Sequence, residues 1–123
     1  KKNDKGKFID QLVTYEGNKK IFTKAITKYE VIDSNNYYSF IKLNPETGRK
    51  HQLRKQLLIR GYPILGDNKY KFDSVGKNKK SNLMLHSYKI NFSINNIKYK
   101  YVAELTDIFK KTLNEKYLKN YQQ

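Results

Sequence analysis

The chain has 123 residues and a formal net charge of +15 at pH 7, with 37% hydrophobic and 14% aromatic residues. That is enough apolar material for one small domain with a core, and the absence of cysteine excludes disulfide frameworks, zinc fingers and thiol catalysis. No run of 18 apolar residues is present and no apolar segment follows the polar start, so the sequence predicts neither a membrane span nor a signal peptide and favours a cytoplasmic location. The charge suits a nucleic-acid partner or a merely solvated basic surface.

The first part of the chain predicts a β-hairpin. Residues 1–7 are charged and predicted to be frayed, and the secondary structure of residues 8–15 is ambiguous. Residues 19–32 alternate in polarity and predict a strand, while residues 37–43 predict its partner across a polar turn. The residues expected on one face of the first strand are Ile21, Thr23, Ala25, Thr27, Tyr29 and Val31.

The middle of the chain predicts a helix over residues 50–60. Leu53 and Leu57 lie one turn apart, and Gly61 fits the position just past the C-terminus. Residues 69–82 form a basic, polar stretch that is typical of a functional or mobile loop.

The last part predicts a second hairpin and a second helix. Residues 83–94 and 97–103 read as strands around an Asn-Asn turn, and Thr106 can cap a helix. Phe109, Leu113 and Tyr117 then fall on one helix face. The order strand, strand, helix, strand, strand, helix indicates an α+β domain over residues 1–123, with residues 20–105 forming antiparallel hairpins in one sheet and the first helix packed on it.

Only three of the 26 basic residues are arginines, and all lie close together at Arg49, Arg54 and Arg60. Arginine offers a planar, bidentate fork that lysine cannot reproduce. Arg54 falls among leucines on or beside the apolar helix face, where an unpaired guanidinium is costly, so it should meet an anion. Glu46 and Asp67 lie in flanking turns and neither is an evident match; a snorkelling surface side chain is the alternative.

Four ordered segments resemble one known family, the RluA/RluC/RluD-type RNA pseudouridine synthases. The family's signature reads TGRxHQ[IL]R…GxPIxGD, and this chain has Thr47-Gly48-Arg49-Lys50-His51-Gln52-Leu53-Arg54 followed by Gly61-Tyr62-Pro63-Ile64-Leu65-Gly66-Asp67. Residues 25–29 resemble its AxTxY strand, residues 83–86 its LxLH strand, and residues 66–70 its GDxxY segment. One position departs from the family pattern. The family often has a histidine two residues after the motif arginine, and this chain has Gln56 there.

The resemblance implies isomerisation of uridine to pseudouridine in RNA, without a metal or redox cofactor. In the family the residue matching Arg54 pairs with a catalytic aspartate of an upstream Arg-Leu-Asp motif, which this sequence does not contain. We therefore expect the chain to be the C-terminal part of the catalytic domain and inactive alone, with the active-site tyrosine also outside it. Ribosomal RNA of the large subunit is the favoured substrate and transfer RNA the alternative.

The remaining candidate residues divide into three groups. Leu53 packs near the uracil or simply in the core. The candidate phosphate contacts are Arg49, Lys50, Lys55 and Arg60, although an ordinary solvated helix face is nearly as well supported, and residues 69–80 could grip the RNA backbone. Structural roles are expected for Thr47, Gly48, His51, Gln52, Gly66, Asp67, Tyr70 and His86. A non-catalytic RNA-binding module with this fold is the competing hypothesis, and a basic domain with no RNA role would leave the ordered motifs unexplained.

Overall fold

The computed structural model describes residues 1–72, 83–87 and 89–119, with only the backbone at residues 90–94 and 101. The elements are β1 (Lys5–Glu16), β2 (Lys19–Ser34), β3 (Ser39–Pro45), α1 (Gln52–Ile59), β4 (Lys89–Ile94), β5 (Ile97–Val102) and α2 (Asp107–Glu115). β1, β2 and β3 form an antiparallel sheet in that order, and β4 and β5 form a separate two-stranded sheet. The predicted α+β class is confirmed.

Strands β1 and β2 form a long hairpin, of which the sequence predicted only β2. Every residue of β1 pairs with β2, from Lys5 opposite Glu30 to Glu16 opposite Lys19. The ambiguous residues 8–15 are therefore strand, and the predicted fraying of residues 1–7 is wrong from Lys5 onward, because backbone pairing with β2 offsets the local charge. Gly17 turns the hairpin at φ +62°, a conformation that glycine adopts without strain.

One face of this hairpin is buried, as the alternation predicted for β2. The buried residues on this face include Phe8 and Leu12 from β1 and Ala25, Thr27 and Val31 from β2. β3 continues the sheet, but the β2–β3 register shifts between Val31 and Asp33, which leaves Ile32 as an extra residue.

Helix α1 begins later than predicted. His51 adopts a left-handed conformation at φ 51°, so the helix starts at Gln52 instead of residue 50. At the other end Gly61 has φ +84° and donates its N–H to the Leu58 carbonyl, as expected for a glycine just past a helix. The buried residues of α1 are Gln52, Gln56 and Leu57, and Gln56 donates to the Phe8 carbonyl of β1 and the Ala25 carbonyl of β2.

The second hairpin is shorter than predicted and, within the described residues, does not join the first sheet. Residues 83–87 form no regular strand, and the backbone N–H of Met84 instead donates to the carbonyl of Leu65 at 2.9 Å. Pairing with that turn keeps the segment out of a strand ladder, so β4 starts at Lys89. The expectation of one continuous sheet was wrong. The predicted Asn95-Asn96 turn is confirmed, with φ values of 51° and 66°.

Helix α2 is capped as predicted, since the Thr106 hydroxyl accepts the N–H of Phe109 at 3.2 Å. The predicted packing of Tyr117 is wrong, because the helix ends before it and its side chain is exposed. Leu118 is buried in its place, together with Leu105 and Leu113. Neither helix in the described ranges is long and apolar enough to cross a membrane.

Candidate active site

The turn before α1 is fixed to β2 by side-chain hydrogen bonds. Thr47 Oγ1 accepts the backbone N–H of Ile26 at 3.0 Å and donates to Gln52 Oε1 at 2.6 Å. The same Gln52 oxygen accepts the N–H of Arg49, while Gln52 Nε2 donates to the Ile26 carbonyl and to Thr27 Oγ1. Because Gln52 is buried, these bonds lock the start of the helix at one position on the sheet.

Glycine at position 48 has no comparable explanation. Its φ lies outside the left-handed region, and a side chain there would meet nothing within 4 Å. Nothing in the structure accounts for a glycine at this point of the motif.

Gln56 is a fully buried polar residue that links three elements. Its Oε1 accepts the hydroxyl of Thr27, and its Nε2 donates toward Asp10 Oδ2 at 3.0 Å and the Ala25 and Phe8 carbonyls at 3.1 and 3.3 Å. Sequence reasoning noticed Gln56 only as a departure from the family pattern. A signal was present, since Gln52 and Gln56 are one helical turn apart and form a polar stripe on an otherwise buried face.

Arg54 and Asp67 form a bidentate ion pair. Arg54 Nε donates to Asp67 Oδ2 at 2.9 Å and NH2 donates to Oδ1 at 2.8 Å. Oδ1 also accepts the backbone N–H groups of Lys69 and Tyr70, and the carboxylate is fully shielded from solvent. The hydrogen bond from Arg54 is the main reason that the pKa of Asp67 falls to about 2, and the same bond raises the pKa of Arg54.

This pair corrects the expectation that no carboxylate of the chain matches Arg54. Asp67 does cap its turn through Lys69 and Tyr70, as predicted, yet the same side chain also receives the guanidinium. Both ends of the family signature, residues 47–54 and 61–67, therefore meet at one point.

Tyr70 and His51 complete the surroundings of Arg54. The guanidinium carbon lies 4.9 Å from the centre of the Tyr70 ring, and Tyr70 Oη is 2.8 Å from His51 Nδ1. Burial, followed by the nearby charge of Arg54, lowers the pKa of His51. His86 lies outside this group. Its Nε2 is 3.1 Å from the Ala103 carbonyl, and its ring contacts that of Phe109 edge to face.

The predicted RNA contacts do not form a single patch. Arg49 and Lys50 are exposed before α1, and Arg49 Nε donates to the Lys24 carbonyl at 3.0 Å. Arg60 lies past the other end, across about 12 Å of helix, and its guanidinium contacts Asp10 at 2.7 Å. Leu53 and Lys55 are half-buried between them.

Most of the predicted RNA-gripping loop lies outside the described residues, which include only its first four positions, 69–72. Within the described ranges no three histidine, aspartate or glutamate side chains are grouped so that they could hold a metal ion.

Comparison with known proteins gives concordant results. The family model for RNA pseudouridylate synthase matches residues 2–58. The chain is 40% identical over 88 residues to ribosomal large subunit pseudouridine synthase D of Borreliella burgdorferi, which covers 70% of this chain and 26% of that protein. It is 42% identical over 81 residues to the dual-specificity RNA pseudouridine synthase RluA of Yersinia pestis, covering 65% and 37%.

A solved structure of human RNA pseudouridylate synthase domain containing 4 superposes with a TM-score of 0.67 at 21% identity, over 98% of this chain and 58% of that one. The fold is thus that of a pseudouridine synthase domain. With the sequence matches, the resemblance seen in the motifs is confirmed: the chain is similar to the RluA- and RluD-type RNA pseudouridine synthases. It spans only 26% and 37% of the lengths of those two bacterial proteins.

Proposed function

We propose that this chain is the C-terminal part of the catalytic domain of an RNA pseudouridine synthase, which isomerises uridine to pseudouridine. The observation that carries the proposal is the bidentate Arg54–Asp67 pair, which joins both ends of the family signature in a shielded position. In the proposed reaction the glycosidic bond from N1 of uracil breaks, the base turns, and its C5 bonds to C1′ of the ribose.

The pair leaves one nitrogen of Arg54 for a further anion. Asp67 occupies Nε and NH2, and NH1 has no hydrogen-bond partner among the described residues. We assign this nitrogen to the catalytic carboxylate of an Arg-Leu-Asp motif that the present sequence does not contain. An adjacent guanidinium would keep that carboxylate ionised and oriented.

Asp67 itself is poorly suited to be the nucleophile. Its two oxygens accept four hydrogen bonds, from Arg54, Lys69 and Tyr70, and its side chain has no exposed surface. A uracil could not reach it without breaking the pair, so its proposed role is to position Arg54.

The proposed substrate is ribosomal RNA of the large subunit, encountered in the cytoplasm, with transfer RNA as the alternative. The similarity to a ribosomal large subunit pseudouridine synthase and to a dual-specificity RNA pseudouridine synthase supports these two candidate substrates. Exposed Arg49 and Lys50 would contact phosphates, which position RNA without reading its sequence. The target base would leave its stack to reach the pocket.

The proposal is tested by tritium release from RNA that carries 5-tritiated uridine. We expect no release by this chain and turnover by a longer protein that adds an Arg-Leu-Asp segment. In that longer protein Arg54→Ala should lower turnover roughly a hundredfold or more, the order of loss when one preorganised donor is removed from an active site. Turnover by the chain alone, or full activity of the Arg54→Ala protein, would contradict this mechanism.

A non-catalytic RNA-binding module is the second candidate, favoured by the +15 charge and the missing Arg-Leu-Asp motif. It predicts RNA affinity that falls steeply with salt, because lysine–phosphate contacts release counterions, and no tritium release in any longer protein. Turnover by the longer protein decides against it.

A further inference from the structure

The β1–β2 hairpin has an exposed aromatic and basic surface near its turn. Tyr15 pairs with Lys20, and two positions further along β2 Phe22 pairs with Val13 and Lys24 with Gln11. Since residues paired across strands and residues two apart along a strand share a face, Tyr15, Lys20, Phe22 and Lys24 project from one side. We call these four residues the hairpin platform.

The hairpin platform lies on the face away from α1. Thr27, which bonds Gln56 of α1, is an odd-numbered residue of β2, whereas Lys20, Phe22 and Lys24 are even-numbered and therefore point to the other side. The platform is thus separate from the Arg54–Asp67 site.

The two aromatic rings of the platform are open to solvent. Tyr15 is 69% exposed and Phe22 is 61% exposed. They are diagonal neighbours, so their side chains start about 7–8 Å apart. Neither packs against another aromatic ring in the described part of the chain. The Lys20 ammonium lies over the Phe22 ring, 5.5 Å from its centre.

The platform also carries positive charge that no carboxylate offsets. At the far end of the same sheet, Lys7 and Lys28 both approach Glu46, at 3.6 and 3.4 Å. Lys20 and Lys24 form no ion pair within residues 1–72, 83–87 and 89–119. A polyanion with flat apolar groups matches such a surface in both charge and shape.

The platform adjoins a residue of the signature turn. Arg49, assigned above to RNA phosphate, donates its Nε–H to the carbonyl of Lys24. An RNA chain held at Arg49 could therefore continue onto the hairpin without leaving a basic surface.

We propose that the hairpin platform binds an unpaired stretch of the RNA, with bases stacked on Tyr15 and Phe22 and phosphates beside Lys20 and Lys24. This inference rests on the proposed function in one respect, that the partner is RNA. Stacking on aromatic side chains accepts any base, so the platform would add affinity for single strands without sequence preference.

The test is fluorescence anisotropy with the whole chain and two RNAs, a labelled 12-nucleotide oligouridylate and a 12-base-pair duplex, each at two salt concentrations. The double variant Tyr15→Thr/Phe22→Thr keeps β-forming residues on the strand. It should lose roughly tenfold or more in oligouridylate affinity, because each stacked base contributes about 1–3 kcal/mol, with little change for the duplex. The matched control is Tyr37→Thr, which removes another exposed ring, and it should leave both affinities unchanged.

A second variant separates charge from stacking. Lys20→Gln/Lys24→Gln should flatten the dependence of oligouridylate affinity on salt by about 1.4 in the log–log slope, at roughly 0.7 per phosphate contact. Crosslinking of a 4-thiouridine oligonucleotide to the unmodified chain gives evidence independent of variant folding, and the expected crosslinks fall within residues 15–24.

The contrary outcomes are distinguishable. If the unmodified chain binds both RNAs but the aromatic variant binds the oligouridylate equally well, or crosslinks avoid residues 15–24, the platform is overturned and the proposed function stands. If the unmodified chain binds neither RNA at low salt, the platform is overturned, whereas the proposed function is still decided by tritium release from the longer protein. If Phe22→Thr abolishes a dimer seen by sedimentation velocity and leaves RNA affinity unchanged, the face joins two copies of the chain and the RNA assignment is wrong.

Discussion

An arginine–aspartate ion pair lies near each end of helix α1, and the two pairs differ in their surroundings. Near the first end Arg54 holds Asp67 through two parallel hydrogen bonds, and the Asp67 side chain is fully shielded. Past the second end Arg60 reaches Asp10 through one bond of 2.7 Å, and the Asp10 side chain is 14% exposed. Each guanidinium also covers an aromatic ring, Tyr70 in the first case and Phe8 in the second.

The difference shows that burial and hydrogen-bond geometry, more than residue type, determine what an arginine–aspartate pair does. The Asp67 carboxylate is shielded from water and accepts hydrogen bonds only from protein groups, so its charge depends on Arg54. Asp10 keeps some solvent contact and also receives the Gln56 amide, so Arg60 is one of several partners. The first pair fixes the signature loop, and the second ties the helix to β1.

The largest expected effect tests this contrast directly. Arg54→Ala should lower the free energy of unfolding of the chain by about 3–5 kcal/mol, since it strands a buried carboxylate. Arg60→Ala is the matched variant and should cost only about 1–2 kcal/mol, because water can reach Asp10. Urea denaturation followed by circular dichroism measures both. Equal losses would show that the two pairs are equivalent.

Replacing Gln56, the uncharged residue between the two ion pairs, should have the next largest effect on the free energy of unfolding. Gln56→Leu leaves the Thr27 hydroxyl and the Ala25 carbonyl without this partner, and we expect a loss of about 2–3 kcal/mol in the same urea experiment. Lys55→Leu, one residue earlier, serves as the control and should shift stability by less than about 0.5 kcal/mol. A neutral result for Gln56→Leu would mean that the Gln56 hydrogen bonds add no stability beyond packing and the Gln52 bonds.

Acid should weaken the first pair in a defined range. The pKa of Asp67 is lowered to about 2 in the folded chain, so its contribution is fully present above about pH 4 and disappears as the pH falls toward 2. The contribution is about 2 kcal/mol, from a pKa difference of nearly two units. Urea midpoints at pH 2, 3, 4 and 7 should fall less steeply below pH 4 in Asp67→Asn than in the unmodified chain. Parallel curves would contradict the shift.

The smallest effect concerns His51. Because burial and the charge of Arg54 lower its pKa, we expect the imidazole to titrate below the ordinary value of about 6.5 and to be neutral at pH 7. A two-dimensional NMR titration of the ring protons measures this. Arg54→Met should raise the midpoint only partly, since burial is the larger cause. A midpoint at or above 6.5 in the unmodified chain would contradict the described setting.

Sequence patterns predicted the central elements because those elements carry strong local signals. Strict alternation revealed β2, and leucine spacing with Gly61 revealed α1. β1 was missed because Asp10 and Gln11 interrupt its apolar pattern, and its strand conformation depends on pairing with β2. The late start of β4 also depends on a distant contact, the bond from Met84 to Leu65.

The candidate site was predicted in part for the same reason. The motif indicated Arg54 and its need for an anion, and the turn at Gly66 was visible, but a turn signal alone does not show that Asp67 comes back to Arg54. The contact between Asp10 and Gln56 joins residues 46 positions apart, so no local pattern could indicate it. Gln56, which the sequence showed only as a departure from the family pattern, is buried in the structure and makes hydrogen bonds to three elements.

Ile32, the extra residue in β2, determines what a deletion in this strand would do. With Ile32 unpaired, Asp33 lies opposite Phe40, and its Oδ2 accepts the backbone N–H of Lys119 at 2.6 Å, which lowers the pKa of Asp33. Deleting Ile32 would join Val31 directly to Asp33 and leave Asp33 opposite Phe40, so the pairing would run without interruption while the local bend and added twist of the bulge would be lost. Since that bend sets the direction in which the Asp33 carboxylate meets the Lys119 N–H, a one-residue deletion in the first third of the chain should weaken a contact near residue 119, whereas substitution of Ile32 should leave it in place.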